Sequence, residues 1–101
     1  MAVLPMLKIN IKKEFREDYL SRAAGEKLRS KILEARQRGE RVELDFSGVT
    51  IASVSFFDEG IAKLAEQGWT KKKFEESVHL KDLQARDKIL LQEICENRGL
   101  V

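Results

Sequence analysis

The feature that most constrains the fold of this chain is a repeated change between two hydrophobic periods. Residues 6–13 and 42–46 alternate apolar and polar side chains, which is the period of a half-buried strand. Between them, residues 21–38 carry apolar side chains at steps of three or four, which is the period of an amphipathic helix. A helix between two strands favours parallel pairing, because it returns the chain to the same edge of the sheet.

The same alternation continues in the C-terminal half. Helical spacing of apolar residues predicts a second helix from Ser55 to about residue 65, with Gly68 as its stop. Residues 68–76 have no clean period and are predicted to form a connection or a short helical turn. A short strand is predicted at residues 77–81, and a last helix, with Asp82 as its cap, up to about residue 98.

These patterns predict an α/β fold with a mixed, mainly parallel sheet of about four strands and three helices. The fourth strand is expected within the first 20 residues. The 101 residues are interpreted as one domain, 1–101, with a core at about 7–98. Three helices are too few to cover both sheet faces, so one face is expected to be polar or to meet a partner.

Local signals at the first long helix are specific. Ser21 is predicted to cap its N-terminus, because a serine hydroxyl accepts from backbone N–H groups that lack an intrahelical partner. Gly39 is predicted to end the helix in the left-handed conformation. Gly25 costs about 1 kcal/mol relative to alanine inside a helix. Close approach of a neighbouring element would compensate for that cost.

Composition excludes several classes of protein. With 43% hydrophobic and 36% charged residues, the chain is typical of a globular domain, and no apolar run reaches the roughly 18 residues of a membrane span. Cys95 is the only cysteine, which rules out an internal disulfide and a cysteine-based metal cluster. No cofactor or metal site is predicted. The single thiol and the absence of a secretory signature predict a cytoplasmic location.

Ser55 is the residue on which the functional question depends. Ser55 and Asp58 fit the Ser-x-x-Asp capping box, in which the serine hydroxyl accepts from the Asp58 backbone N–H. That structural role explains both residues without any function. The alternative interpretation uses the same position: a serine on a loop after a central strand is accessible to another protein. A phosphate there would add about two negative charges to an interface.

Other candidate residues have weaker support. Asp45 and His79 would form a hydrolytic pair only if they converged in a cleft, and no catalytic residue is assigned. Cys95 is interpreted as a small apolar residue on a helix. A net charge of +2, from 19 basic and 17 acidic residues, does not favour nucleic acid. The basic segments 8–13 and 71–73, the latter beside Trp69, keep a nucleic-acid-associated protein as the alternative.

The stretch from Val42 to Thr50, followed by a helix start that reads Ser55-Phe56-Phe57-Asp58-Glu59, resembles the STAS family of sulfate-transporter and anti-sigma-factor-antagonist domains. The closer likeness is to small prokaryotic STAS-like domains of unknown function. It is strongest over residues 42–65 and extends by order of elements from about 7 to 98. In classical members, a serine or threonine at this loop is phosphorylated by an anti-sigma-type kinase that also binds the unmodified form.

The resemblance implies a non-enzymatic bacterial signalling module, a monomer or weak homodimer, whose partner is a protein such as an anti-sigma-type kinase. Ser55 is the residue that matches the phosphorylated position. Classical members carry an acid two positions before this serine and a glycine directly after it, where this chain has Ser53 and Phe56. The predicted partner-binding residues are Ser53, Ser55, Phe56, Asp58 and Glu59.

Overall fold

A computed structural model describes residues 5–16 and 18–101 of the chain. Strand β1 (Met6–Asn10) leads into helix α1 (Ile11–Phe15), and helix α2 (Arg22–Gln37) precedes strand β2 (Arg41–Asp45). Helix α3 (Val54–Gly60) is followed by a 3₁₀ helix (Ala62–Gln67), helix α4 (Lys71–Ser77), strand β3 (Val78–Lys81) and helix α5 (Ala85–Arg98).

The sheet has three strands in the order β1-β2-β3, and both pairs are parallel. The predicted α/β class is therefore correct, but the described residues form three strands and five α-helices instead of about four strands and three helices. The first strand ends earlier than its alternation predicted. Asn10 ends it because its side chain accepts a 2.9 Å hydrogen bond from the Lys13 N–H and so caps α1.

The two faces of the sheet differ completely in burial. Ile9, Val42, Leu44 and Val78 point to one face and are at most 5% exposed. The opposite face is polar and carries the side chains of Lys8, Glu43, Asp45, His79 and Lys81. The helices thus cover a single face of the described sheet, although there are five of them and not three, and the other face is open.

The core lies between the sheet and helices α2 and α3. Phe46, Phe56 and Phe57 are fully buried, and the Phe57 ring centroid lies 6.4 Å from that of Phe46 and 6.2 Å from that of Phe56. Phe15 meets Phe56 edge to face at 5.6 Å. Burial of several aromatic rings is a large favourable contribution for a domain of this size.

The predicted landmarks of α2 are confirmed. The Ser21 side chain accepts from the Ala24 N–H at 3.1 Å, and Gly39 has a φ of +75°. Gly25 lies against α3, where a Cβ atom would come within 2.8 Å of both the Phe56 carbonyl oxygen and the Glu59 Cβ. Leu20 lies outside this helix, directly before its Ser21 cap, and is 46% exposed.

Two helix starts differ from the prediction. Helix α3 begins at Val54 with Ser53 as its N-cap, two residues before the predicted cap. Asp82 does not cap α5, whose N-cap is Gln84. Asp82 instead has a φ of +55°, and its carboxylate lies 2.8 Å from the Ser47 hydroxyl. Asp82 is therefore used to join the two loops that follow β2 and β3.

The buried side of α5 does not follow hydrophobicity alone. Ile89 is 61% exposed, whereas Asp87 is only 2% exposed. No helix among the described residues has the length and hydrophobicity that a membrane crossing requires.

Candidate partner-binding site

The loop between β2 and α3 is held in place by a carboxylate from α5. The two oxygens of Asp87 accept hydrogen bonds from the backbone N–H groups of Ile51, at 2.8 Å, and Ala52, at 2.9 Å. Ala52 has a φ of +46°, a conformation that non-glycine residues adopt rarely. Asp87 therefore stabilises a loop conformation that the backbone of Ala52 would rarely adopt without these hydrogen bonds.

Ser53 joins this loop to the start of α2. Its hydroxyl accepts from the Phe56 N–H at 3.2 Å, as an N-cap does, and donates to the Leu20 carbonyl at 2.6 Å. The predicted capping box of Ser55 and Asp58 is therefore wrong. Ser53 has the capping role, and Phe56 occupies the position where a box would need an acid.

Ser55 is the second residue of α3 and is partly exposed. Its hydroxyl makes no hydrogen bond to any residue in the described part of the chain. Because it has no capping role, the hydroxyl is available for modification without loss of a helix-starting contact.

Phe56 cannot be part of a contact surface in this fold. Its side chain is fully buried and packs against Phe15 and Phe57. The prediction that Phe56 contacts a partner therefore conflicts with its position. Phe56 stands where the resemblance would place a glycine, and its large apolar side chain belongs to the core.

Asp58 is 6% exposed and is used inside the molecule. Its oxygens lie 2.7 Å from the Nε and Nη2 atoms of Arg98, at the end of α5, in a bidentate pair. The Nη1 atom of Arg22, on α2, is 3.2 Å away. Asp58 therefore joins three helices and offers little surface to a partner.

Glu59 has an equivalent internal role and is 9% exposed. Its oxygens lie 3.0 Å from Arg22, 3.2 Å from Arg29 and 2.8 Å from Lys63. Arg29 also donates to the Glu59 carbonyl oxygen. The two acids that were predicted to face a partner are therefore engaged by cations from α2, α5 and the 3₁₀ helix.

The ion pairs lower the pKa of both carboxyl groups. Hydrogen bonds from Arg98 are the largest cause for Asp58, and the hydrogen bond from Lys63 is the largest for Glu59. A carboxyl group whose pKa is lower in the folded state stabilises the fold above its ordinary pKa. That contribution is lost as the pH falls through the lowered value.

Unfolding of the chain is therefore expected to become easier below about pH 4, near the ordinary Asp pKa of 3.8. Replacing Asp58 by asparagine is expected to cost about 1–3 kcal/mol at neutral pH. The free energy of unfolding of the variant is also expected to change less steeply with pH in the acidic range. Urea unfolding at several pH values measures both effects, and an unchanged pH profile in Asp58→Asn would contradict this assignment.

An exposed apolar patch adjoins Ser55. Val54 is 54% exposed, Leu20 is 46% exposed, and Ala52 is exposed as well. The hydrogen bond from Ser53 to the Leu20 carbonyl brings these two segments together. We name Leu20, Ala52, Val54 and Ser55 the Leu20–Val54 patch. Sequence reasoning missed Val54, although its position between two serines, outside the spacing of the buried phenylalanines, was an available signal.

The remaining candidate residues lie elsewhere. Asp45 and His79 share the open sheet face, but the groove that His79 lines does not include Asp45. Asp45 accepts from the backbone N–H and hydroxyl of Ser47, and these hydrogen bonds lower its pKa.

Cys95 is half-buried, and burial raises the pKa of its thiol to about 11. No cluster of metal-ligating side chains occurs within residues 5–16 and 18–101.

The two basic segments do not form one surface. Lys12 and Lys13 lie on α1, just after the carboxyl end of β1. Lys71–Lys73 begin α4, which ends directly before the amino end of β3. Strand β2 lies between β1 and β3, so the two segments adjoin different outer strands of the sheet. The Lys73 ammonium group also lies over the Trp69 ring, 5.0 Å from the ring centroid. It therefore occupies the ring face on which a base would stack.

Taken together, a parallel sheet covered on one face and a loop-to-helix junction after its central strand define a small two-layer α/β domain. Residues 24–88 match the model of the family described as STAS-like domain of unknown function. The match covers more than half of the chain, so the chain belongs to that family. No curated protein and no solved structure matches it significantly.

Proposed function

We propose that this chain is a non-enzymatic signalling module of the cytoplasm that binds another protein through the Leu20–Val54 patch. The observation that carries the proposal is the combination of two exposed apolar side chains, Leu20 and Val54, with a loop that Asp87 holds in one conformation. Apolar side chains displayed on a fixed loop lose little conformational entropy when a partner covers them.

Ser55 is the proposed regulatory position within this patch. A phosphate on its free hydroxyl would add about two negative charges beside Val54 and would oppose burial of the patch. Arg22, whose side chain is 55% exposed, is already engaged by Asp58 and Glu59 and is therefore not a free counter-ion for that phosphate. The family resemblance suggests an anti-sigma-type kinase as the partner, and the unmodified form as the one that binds.

Arginine at position 54 is expected to abolish capture of the partner, because it would place a charge at the centre of the patch. Aspartate at position 55 is expected to weaken capture about tenfold or more, since a charge at an interface without a counter-ion is costly. The measurement is quantitative mass spectrometry of proteins captured by wild type, Val54→Arg and Ser55→Asp from the native organism, together with the phosphate occupancy of native Ser55.

Ile89→Arg is the matched control, because Ile89 is the most exposed isoleucine and lies on the side of α5 away from Asp87. It is expected to capture the partner normally. Equal capture of the partner by Val54→Arg and wild type would refute the proposal that the Leu20–Val54 patch binds the partner. Unmodified native Ser55, together with normal capture by Ser55→Asp, would refute only the proposed regulation by phosphorylation.

The alternative function is association with nucleic acid through residues 8–13 and 71–73. Binding of that kind would weaken steeply with salt and would not depend on Val54. The two segments adjoin different outer strands, with β2 between them, and this placement favours the protein-binding proposal.

A further inference from the structure

Strand β3 is an edge of the sheet formed by the described residues. The Phe46 N–H donates to the Lys81 carbonyl, which places the backbone groups of His79 and Lys81 toward β2. Backbone groups alternate in direction along a strand, so the N–H and C=O of Leu80 point away from β2, toward the open edge. Leu80 thus offers one donor and one acceptor to a further strand.

A groove of about 640 Å³ runs beside this edge. Its apolar walls come from Phe74 on α4, Leu91 on α5 and Leu83 before α5. Three successive residues of β3, Val78, His79 and Leu80, also line it. The groove therefore borders β3, which is an outer strand of the described sheet. Apolar side chains of an added strand would therefore enter it on the covered side.

The charges along β3 indicate the chemistry of such a strand. On its paired side, Glu43 lies opposite His79 and Asp45 lies opposite Lys81. Lys81 also contributes to the lowered pKa of Asp45. His79 and Lys81 are exposed on the open face. A strand added on the other side of β3 would therefore pair favourably if it carried acids opposite these two residues.

We propose that the β3 edge binds an extended segment of another protein in which apolar and acidic residues alternate, so that the segment becomes a fourth strand. Its apolar residues would fill the groove between α4 and α5, and its acids would face His79 and Lys81. Peptide recognition by strand addition combines main-chain hydrogen bonds with pockets for alternate side chains in this way. The site is separate from the Leu20–Val54 patch and does not depend on its function.

A second copy of the chain fits the edge less well. If two β3 strands paired antiparallel about Leu80, His79 of each copy would lie opposite Lys81 of the other. Opposed basic side chains are unfavourable in a cross-strand pair. Charge complementarity therefore selects an acidic segment over self-association.

The test uses a peptide of known complementarity, namely residues 41–46 (RVELDF) with blocked ends and a fluorescein label. This is the segment that already pairs with β3 inside the fold. Saturable binding to the wild-type protein is expected in fluorescence anisotropy. A peptide with lysine in place of both acids is expected to bind at least several-fold more weakly, because it would oppose His79 and Lys81.

Two protein variants locate the site. Leu80→Pro removes the outward N–H while leaving the hydrogen bonds to β2, and is expected to weaken binding about tenfold. Lys8→Pro is the control, because it alters the outward edge of β1 in the same way. Lys81→Glu is expected to weaken binding of the acidic peptide and to restore binding of the lysine peptide. Circular dichroism verifies that each variant is folded.

Absence of saturable binding would overturn the proposal. So would equal affinity of the two peptides for the wild type, or Lys8→Pro weakening binding as much as Leu80→Pro. A wild-type protein that sediments as a dimer, and becomes monomeric in Leu80→Pro, would identify a second copy as the occupant and would also overturn it.

Discussion

Replacing Asp87 by alanine is expected to lower the free energy of unfolding by about 3 kcal/mol, because it leaves two backbone N–H groups without their acceptor. The Asp87 side chain is buried, and both of its oxygens are used, by Ile51 and by Ala52. The loss also removes the contacts that hold Ala52 at a φ of +46°. Chemical denaturation measures the change in stability.

The same substitution is expected to loosen the Leu20–Val54 patch. Hydrogen exchange at the Ile51 and Ala52 amides should accelerate in Asp87→Ala, even under conditions where the rest of the domain stays folded. Glu93→Ala is the control, since Glu93 is an exposed acid on the same helix. If Asp87→Ala and Glu93→Ala differ by less than about 0.5 kcal/mol, the assigned role of Asp87 is incorrect.

Alanine at position 25 is expected to destabilise the domain by about 1–3 kcal/mol, although alanine is the better helix former by about 1 kcal/mol. The added Cβ would lie 2.8 Å from the Phe56 carbonyl oxygen, which is backbone and cannot rotate away. Helices α2 and α3 would have to separate, and the core aromatics of α3 would lose contacts.

Ser30→Ala provides the comparison for this prediction, because Ser30 is exposed on the same helix and the substitution changes only helix propensity. It is expected to leave stability unchanged or slightly raised. Urea unfolding of both variants separates packing from propensity. A Gly25→Ala variant more stable than wild type would show that the α2–α3 contact tolerates the extra methyl group.

Local sequence signals were sufficient for much of the fold. The alternation of Val42, Leu44 and Phe46 predicted the buried side of β2, because a strand's side chains point to opposite faces in turn. Ser21 predicted a helix start, and Gly25 predicted a close contact, because each signal depends on a few neighbouring residues. The family resemblance agreed with the order of elements, and residues 24–88 match the family model.

The errors occurred where distant residues competed for the same group. Ser53 and Ser55 are both good caps, and Ser53 has that role because the loop before it is held by Asp87 and by the Leu20 carbonyl. Asp58 did not complete a capping box because Arg98, forty residues later, pairs with it. No local pattern distinguishes these outcomes, since the partners meet only after the helices pack.

The sequence by itself determined the α/β class, the parallel tendency, one sheet face left uncovered by helices and the position of the loop after β2, because hydrophobic period and turn residues act over short distances. Only the tertiary structure decided which serine caps α3, that Asp58 and Glu59 are internal, and that Val54 is exposed beside Ser55. It also decided that a groove follows the edge of β3. These features depend on the relative placement of helices, which is set by packing and by charge pairs between residues far apart in the chain.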